Sequence, residues 1–330
     1  MKIWYKFIIL FVSSVSLMGC LSFIHEFPEL PPDIPVSLRI TEIYLDNYFE
    51  EDIIPGLIIS RGDIEEKYKI RFTIKLYINN NLTDSRQLVE TWRQDRRYPV
   101  NILYEKLKRE EYRIVVWAEF VQDNGESIAY EYEDITYITQ CIPYRGSTED
   151  KDAFSISKTE DLREAKGEVT DQLSLSRPFG KFRIIATNTE QLTETGEYTV
   201  EQIGRMTVTL SYTSFFPCAY NAVTNRPNDA NTGFQFTGSV EWVNEEHVKG
   251  LMLAFDYVWV NSTKSSVTAQ LTVHDELGKQ IAKINNIHIP YERGRLTTII
   301  GEFTDDSGSN GDSGIGINPD FDGIYEITLP

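Results

Sequence analysis

Tyr68-Lys69-Ile70-Arg71-Phe72-Thr73-Ile74-Lys75-Leu76-Tyr77-Ile78 alternates without a break. Ile70, Phe72, Ile74, Leu76 and Ile78 fall on one side, and Lys69, Arg71, Thr73, Lys75 and Tyr77 on the other. Period two is the signature of a strand with one buried and one wet face. Asn79-Asn80-Asn81 ends the run as a turn. Outward from it, Tyr112 to Val121 predicts a second strand, closed by Gln122-Asp123-Asn124-Gly125, and Asn-Gly suits a tight hairpin. Ile128 to Thr139 can pair back against it. Val36 to Leu45 starts the series, with Val36, Leu38 and Ile40 on one face. Four or five strands before Cys141, and no long helical period, predict a β-sandwich over residues 35–145.

Residues 146–180 read as a linker. Gly146, Ser147 and Thr148 lead into the charged stretch Glu149-Asp150-Lys151-Asp152, and Thr159 to Ala165 leaves room for a short helix capped by Thr159. Strand patterns resume at Phe182–Thr187, Met206–Tyr212, Leu251–Val260, Val267–His274, Ile281–Ile289, Arg295–Phe303 and Ile324–Leu329, with a turn at Glu276-Leu277-Gly278-Lys279. Turns rather than crossover helices join them, so a second antiparallel sandwich is expected over residues 181–330. The fold class is all-β, two tandem antiparallel β-sandwiches. The last strand, with Tyr325, Ile327 and Leu329 on one face, is expected to complete its own sandwich.

The beginning of the chain is an address. Lys2 and Lys6 precede the apolar run Phe7 to Val12, which continues through small residues to Leu17 and is shorter than the about 20 residues a membrane-spanning helix needs. Leu17-Met18-Gly19-Cys20 has the lipobox pattern of bacterial lipoproteins. That resemblance implies a signal peptide over residues 1–19, cleavage between Gly19 and Cys20, and acylation of Cys20 Sγ. Acyl chains contribute roughly 0.8 kcal/mol per buried CH₂, so the expected partner at this end is a membrane. Pro28, Pro31, Pro32 and Pro35 make residues 20–34 an extended tether. Glu26, Glu29 and Asp33 make it mildly acidic.

Composition excludes other classes. The 330 residues carry 32 Lys and Arg against 50 Asp and Glu, a net charge of −18. Such a chain repels phosphate backbones, and nucleic acid is not an expected partner. Charge is uneven: Lys67 to Arg113 holds twelve basic and six acidic residues, whereas Gly301 to Pro330 holds seven acidic and none basic. Opposed patches of this kind can steer copies head to tail.

Catalytic patterns are missing from the sequence. His25, His247, His274 and His288 lack the spacing of a metal site, and no G-x-S-x-G elbow, P-loop or dinucleotide fingerprint occurs. No cofactor is expected, and the chain reads as a non-enzyme. Asp305 to Asp312 is rich in hard oxygen ligands but lacks the distal bidentate Glu of an EF-hand, and reads as a hairpin loop. Arg61-Gly62-Asp63 spells the tripeptide that integrins read, and also suits an ordinary exposed turn. Cys141 and Cys218 could form a disulfide across the two sandwiches in an oxidising compartment, with two unpaired thiols the simpler expectation. Trp92, Trp242 and Trp259 would serve a glycan-binding or ligand-binding monomer, the alternative to an assembly role, although large aromatics also fill sandwich cores.

Several stretches together carry a resemblance. They are Lys151-Asp152-Ala153-Phe154-Ser155; Arg177 to Thr187; Ala219-Tyr220-Asn221 with Arg226-Pro227-Asn228-Asp229; Ile289-Pro290-Tyr291-Glu292-Arg293; Thr297-Thr298-Ile299-Ile300-Gly301; and Pro319-Asp320-Phe321-Asp322-Gly323. In this order, behind a lipobox, the chain resembles the fimbrillin-like lipoproteins of the type V fimbriae superfamily, within a subgroup of unassigned function. The resemblance spans roughly residues 110–330 and is weaker before that. It implies transthyretin-like sandwiches, an outer-membrane lipid anchor, display on the cell surface or in a fimbrium, and partners that are fimbrial subunits or further copies. It also implies polymerisation by strand exchange: a protease cuts after an N-terminal arginine, a strand leaves, and a neighbour's strand fills the groove. Arg39 and Arg61 are the candidate cut points, and the alternation around Arg39 argues against ready cleavage there. An uncut member would stay anchored as a base or accessory subunit.

Overall fold

The computed structural model describes residues 35–46, 69–194, 196–245, 248–301, 303–304, 316–317 and 324–326. Their first part supplies nine strands: β1 (Val36–Leu45), β2 (Lys69–Ile78), β3 (Asn81–Thr91), β4 (Arg97–Leu107), β5 (Glu111–Val121), β6 (Tyr130–Glu131), β7 (Ile138–Gln140), β8 (Ala153–Asp161) and β9 (Glu168–Leu175). One sheet has the order β4-β1-β9 and the other β3-β2-β5-β8. They face each other across a core that includes Leu38, Ile40, Phe72, Ile74, Ile114, Val116, Phe154 and Leu173. The Asn79-Asn80 turn has both residues at positive φ, +49° and +64°, and joins Ile78 to Asn81 as a two-residue hairpin loop. That loop type matches the right-handed twist of the strands it connects.

The second part follows with β10 (Phe179–Ala186), helices α1 (Glu190–Glu194) and α2 (Val200–Ile203), β11 (Thr207–Tyr212), β12 (Phe216–Asn221), β13 (Arg226–Asn231), β14 (Gln235–Ser239), β15 (Glu241–Asn244), β16 (Lys249–Trp259), β17 (Lys264–His274), β18 (Gln280–Glu292), β19 (Leu296–Gly301), β20 (Phe303–Thr304), β21 (Gly316–Ile317) and β22 (Ile324–Glu326). Its sheets run β15-β16-β10-β19-β22 and β14-β11-β17-β18. Taken in chain order, β10, β11, β14, β16, β17, β18 and β19 occupy the places of β1, β2, β3, β4, β5, β8 and β9. In each part the opening strand pairs antiparallel on one side and parallel on the other: β1 with β4 and β9, β10 with β16 and β19. The all-β expectation holds, with these two parallel pairings added to an antiparallel framework.

Residues 146–180 are not a plain linker. The stretch expected to hold a short helix at Thr159 carries β8, paired with β5 from Glu111↔Asp161 to Glu119↔Ala153, and β9 follows. The alternation of β8 and β9 is blurred by polar residues, and their place is set by neighbours rather than by local propensity. A single turn of 3-10 helix, Glu149–Lys151, precedes them. Ile128 to Thr139 also departs from expectation. Beyond the Val121↔Ser127 bridge it leaves β5 and forms β6 and β7, which join β12 and β13 in a separate sheet of order β13-β12-β7-β6. The helices and β12 to β15 escaped the sequence pattern as well. α2 is only four residues long and is held by a capping box, with Thr199 and Gln202 bonding reciprocally.

Between the two sheet pairs lies a third core. It joins Tyr77, Val115, Trp117, Tyr130, Phe179, Ile185, Tyr220, Phe255, Tyr257 and Trp259. This seam explains why the polar side of β2 is dry: Thr73, Lys75 and Tyr77 are all buried. Lys75 bonds Asp134, and Arg71 reaches the fully buried Glu119 at 2.6 Å. The seam continues the two inner cores without a break in burial, and β5 and β16 are buried on both faces.

Candidate functional site

The N-terminal strand and its cradle are one part of the site. β1 is the middle strand of its sheet, hydrogen-bonded along both edges. Val36, Leu38, Ile40, Ile43 and Leu45 are each at most 1% exposed. Strict alternation from Ile40 would bury Glu42 and Tyr44, which it does not. The register shifts between Ile40 and Glu42 against both neighbours: against β9, Thr41 is an extra residue of β1, whereas against β4 the extra residue is β4's, with Val100 and Asn101 opposite Thr41. Such a bulge resets the phase, so Ile43 and Leu45 return to the core. Thr41 Oγ1 donates to the Asp171 carbonyl at 3.3 Å, anchoring the bulge. Each buried side chain contributes about 1.5–3 kcal/mol.

β1 is tied down within its ladder and at its C-terminal end. Arg39 donates from Nε and Nη2 to the two carboxylate oxygens of Glu168 at 2.7 and 2.9 Å, and also to Asn101. That bond holds the Glu168 carboxyl below its usual range. At the C-terminal end, the Asp46 carbonyl accepts from Arg177 Nη1 at 3.2 Å and from Arg96 Nη1 at 3.4 Å. Arg177 is itself gripped by Asp152 through two bonds of 2.7 Å and lies over the Phe154 ring. The clamp is almost fully buried.

Arg39 therefore sits mid-strand, paired with Leu103 and Thr170, and not in an open loop. Arg61 and the Arg61-Gly62-Asp63 tripeptide lie outside the described residues, as do Gly19, Cys20, His25, His247 and Asp305 to Asp312. Cys141 and Cys218 are free thiols. The structure brings them nearer than two separate sandwiches would: Cys141 follows β7, Cys218 lies in β12, and β7 pairs with β12. Burial pushes both thiols up. His274 pairs with Gln280 and His288 with Thr268, so they face different partners along the β17–β18 ladder. Among the described residues no three His, Cys, Asp or Glu side chains gather as a metal site.

The tryptophans divide. Trp259 is fully buried in the seam, stacked on Phe179 at 6.1 Å and on Tyr220 at 5.8 Å. Trp92 is half-buried, packed edge-on against Phe120 at 5.1 Å with Arg96 over its ring. Trp242 is 45% exposed. The three do not form a pair of parallel open rings.

A second polar constellation, missed in the sequence, lies against the inner core of the second sheet pair. Lys151, 2% exposed, meets Asp256, 0% exposed, with Nζ to Oδ1 at 2.5 Å. Lys151 Nζ also donates to Tyr144 Oη at 2.8 Å, while the Tyr144 and Tyr212 hydroxyls donate to Asp256 Oδ2 at 2.5 and 2.7 Å. Nearby, Lys181 Nζ bonds Glu149 at 2.6 Å, and Arg183 forms a two-pronged pair with Glu245. Burial pushes the Lys151 ammonium down and the Tyr144 and Tyr212 hydroxyls well up. One signal was available: Asp256 interrupts Leu251 to Val260, where a charge inside an apolar run needs a buried partner.

Comparison with solved structures finds similarities at low identity. The chain is similar to a candidate cell-adhesion protein from Bacteroides ovatus, with 12% identity, 90% of this chain and 99% of that one covered, and a TM-score of 0.46. It is also similar to a candidate polysaccharide-binding protein from Bacteroides thetaiotaomicron, at 12% identity, 88% and 98% coverage and a TM-score of 0.43. The fimbrial anchor protein Mfa2 from Porphyromonas gingivalis is similar at 10% identity, with 88% and 100% coverage and a TM-score of 0.42. No curated protein matches in sequence. The family of unknown function DUF6562 matches residues 51–330, most of the chain, and this protein belongs to that family.

Proposed function

We propose that the chain is a non-enzymatic surface lipoprotein, brought to the outer membrane through acylated Cys20 and released from that anchor if it is cut after Arg61, that acts as a fimbrial subunit or fimbrium-associated adhesin-like protein and binds its partners by strand addition. The observation that carries the reading is β1. It is the middle strand of a sheet, fills its groove with five apolar side chains, and is joined to β2 only through residues 46–68, where Arg61 lies. A cut after Arg61 would leave β1 held by non-covalent contacts alone. Its departure would bare two strand edges, β4 and β9, together with the pockets of Val36, Leu38, Ile40, Ile43 and Leu45. An extended segment from another subunit can fill such a groove, with main-chain bonds supplying affinity and alternate pockets supplying specificity. Arg39 is a poor cut point by the same reasoning, since it is bonded on both strand edges. Strand β22, paired with β19, completes its own sheet in this arrangement.

The test is exchange. The folded chain is nicked with an arginine-specific protease and then mixed with excess labelled peptide of the sequence Val36–Leu45. The reading expects a cut after Arg61, retention of the N-terminal fragment after the nick, and its slow replacement by the peptide. A nicked chain that never takes up the peptide, or that is cut first at Arg39, contradicts it.

A further inference from the structure

Lys151 and Asp256 are 105 residues apart in sequence and meet where neither touches water. Lys151 ends the 3-10 turn before β8, in the first sheet pair. Asp256 lies within β16, in the second. The surroundings are aromatic: Tyr144 has Phe216 at 5.4 Å, Phe234 at 5.2 Å and Phe236 at 6.2 Å. Gly146 lets this segment pass, since a Cβ there would stand 2.3 Å from the Phe236 ring. The hydrogen bonds close a ring. Lys151 Nζ donates directly to Asp256 Oδ1 and, through the Tyr144 hydroxyl, to Oδ2.

We propose that this ring is a reaction site, at which Lys151 Nζ and Asp256 Cγ condense into an intramolecular amide that ties the two sheet pairs together covalently. The balance closes without a co-reactant. In dry surroundings an ion pair loses its advantage over the neutral pair of amine and acid, so an Nζ proton passes to Oδ1 along the 2.5 Å bond. The freed lone pair attacks Cγ. Negative charge gathers on Oδ2, where the Tyr144 and Tyr212 hydroxyls already point, an arrangement of preset donors that favours a tetrahedral intermediate. The Nζ–Cγ bond forms, the Cγ–Oδ1 bond breaks, and Oδ1 leaves as water with a second Nζ proton. Ammonium plus carboxylate becomes amide plus water, once per molecule. Burial lowers the Lys151 pKa, which favours the attacking amine. The pair is held at hydrogen-bond distance inside a packed core, so the two groups are oriented before reaction.

The bond would join residue 151 to residue 256 and bypass β8 to β15, so a pull on the chain ends would not extend that stretch. This proposal stands apart from the assembly reading, since a monomer could carry the same link.

Peptide mass spectrometry decides it. The full chain, purified folded, is denatured and digested with trypsin. The expected product is one branched peptide joining the Lys151 and Asp256 segments, lighter than the two linear peptides together by one water. Asp256→Asn is expected to give the same branched peptide with loss of ammonia instead, and Lys151→Arg only linear ones. Tyr144→Phe is expected to lower the linked share. Linear peptides alone from the folded wild type overturn the proposal, and so does a branched peptide that persists in Lys151→Arg. Because the wild type alone separates these outcomes, a variant that fails to fold does not blunt the test.

Discussion

β1 and β10 hold the same place in two sheet pairs of one strand order, yet they are secured differently. β10 follows β9 after three residues, lies between β16 and β19, and its sheet is extended by β15 and β22. Both of its faces are buried, one in the inner core and one in the seam. β1 has one buried face and one half-exposed face, a sheet of only three strands among the described residues, and a 46–68 connection to β2. The same position is thus built in on one side and inserted on the other. A strand that packs on one face opens a single core when it leaves; a strand that packs on two opens both.

Substitutions in the two strands should separate these cases. Phe182→Ala in β10 removes a fully buried ring and is expected to cost about 3–5 kcal/mol of global stability, read from urea denaturation. Ile40→Ala in β1 is expected to cost about 2–5 kcal/mol. Hydrogen exchange gives the sharper reading: Ile40→Ala should speed exchange at residues 36–45 while leaving residues 179–186 slow. Equal acceleration in both strands would break the comparison.

Arg177→Met comes next. It strands the nearly buried Asp152 carboxylate, a loss of about 3–5 kcal/mol when a buried pair is broken, and it removes a donor from the Asp46 carbonyl at the end of β1. Faster exchange should appear first at residues 43–46. If protection there is unchanged, the clamp does not hold β1.

A smaller effect depends on pH. Burial pushes the Tyr77, Tyr98 and Tyr104 hydroxyls up to about 12 in the first sheet pair, and that of Tyr291 to about 12 in the second. Unfolded tyrosine ionises near 10, so between about pH 10 and 12 the folded state binds more protons. Stability from these groups is full below pH 10 and falls as pH rises to 12. Tyr98→Phe should flatten that fall, as measured by urea midpoints at stepped pH. An identical slope in the variant would show that Tyr98 ionises freely in the folded state.

The inner cores were legible because alternation encodes a face. Ile70, Phe72, Ile74 and Leu76 are buried where period two put them, and β11, β17 and β18 were placed by the same pattern. The seam was not, because a strand buried on both faces shows a continuous run whose second partner is set by a distant segment. Leu251 to Val260 contains that run, and its Asp256 points to Lys151 only once the chain is folded. β3 was hidden for the opposite reason: it is an edge strand with little buried surface, held to β2 by its ladder. In β1 the Thr41 bulge broke the period, so Ile43 and Leu45 fell outside the face that Val36, Leu38 and Ile40 define. Of the proposed strand-exchange site, Arg39 and Arg61 could be named from sequence, but the groove could not. Its walls, β4 and β9, come from segments whose own patterns are weak.

The most direct test of assembly through the β1 groove is made on native membranes, probed with an antibody to residues 181–330, in detergent before and after boiling. The account predicts a ladder that collapses to one band on heating, with that band lacking the N-terminal segment through Arg61. A single unladdered band at the size of the chain from Cys20 onward, still carrying lipid, would contradict it.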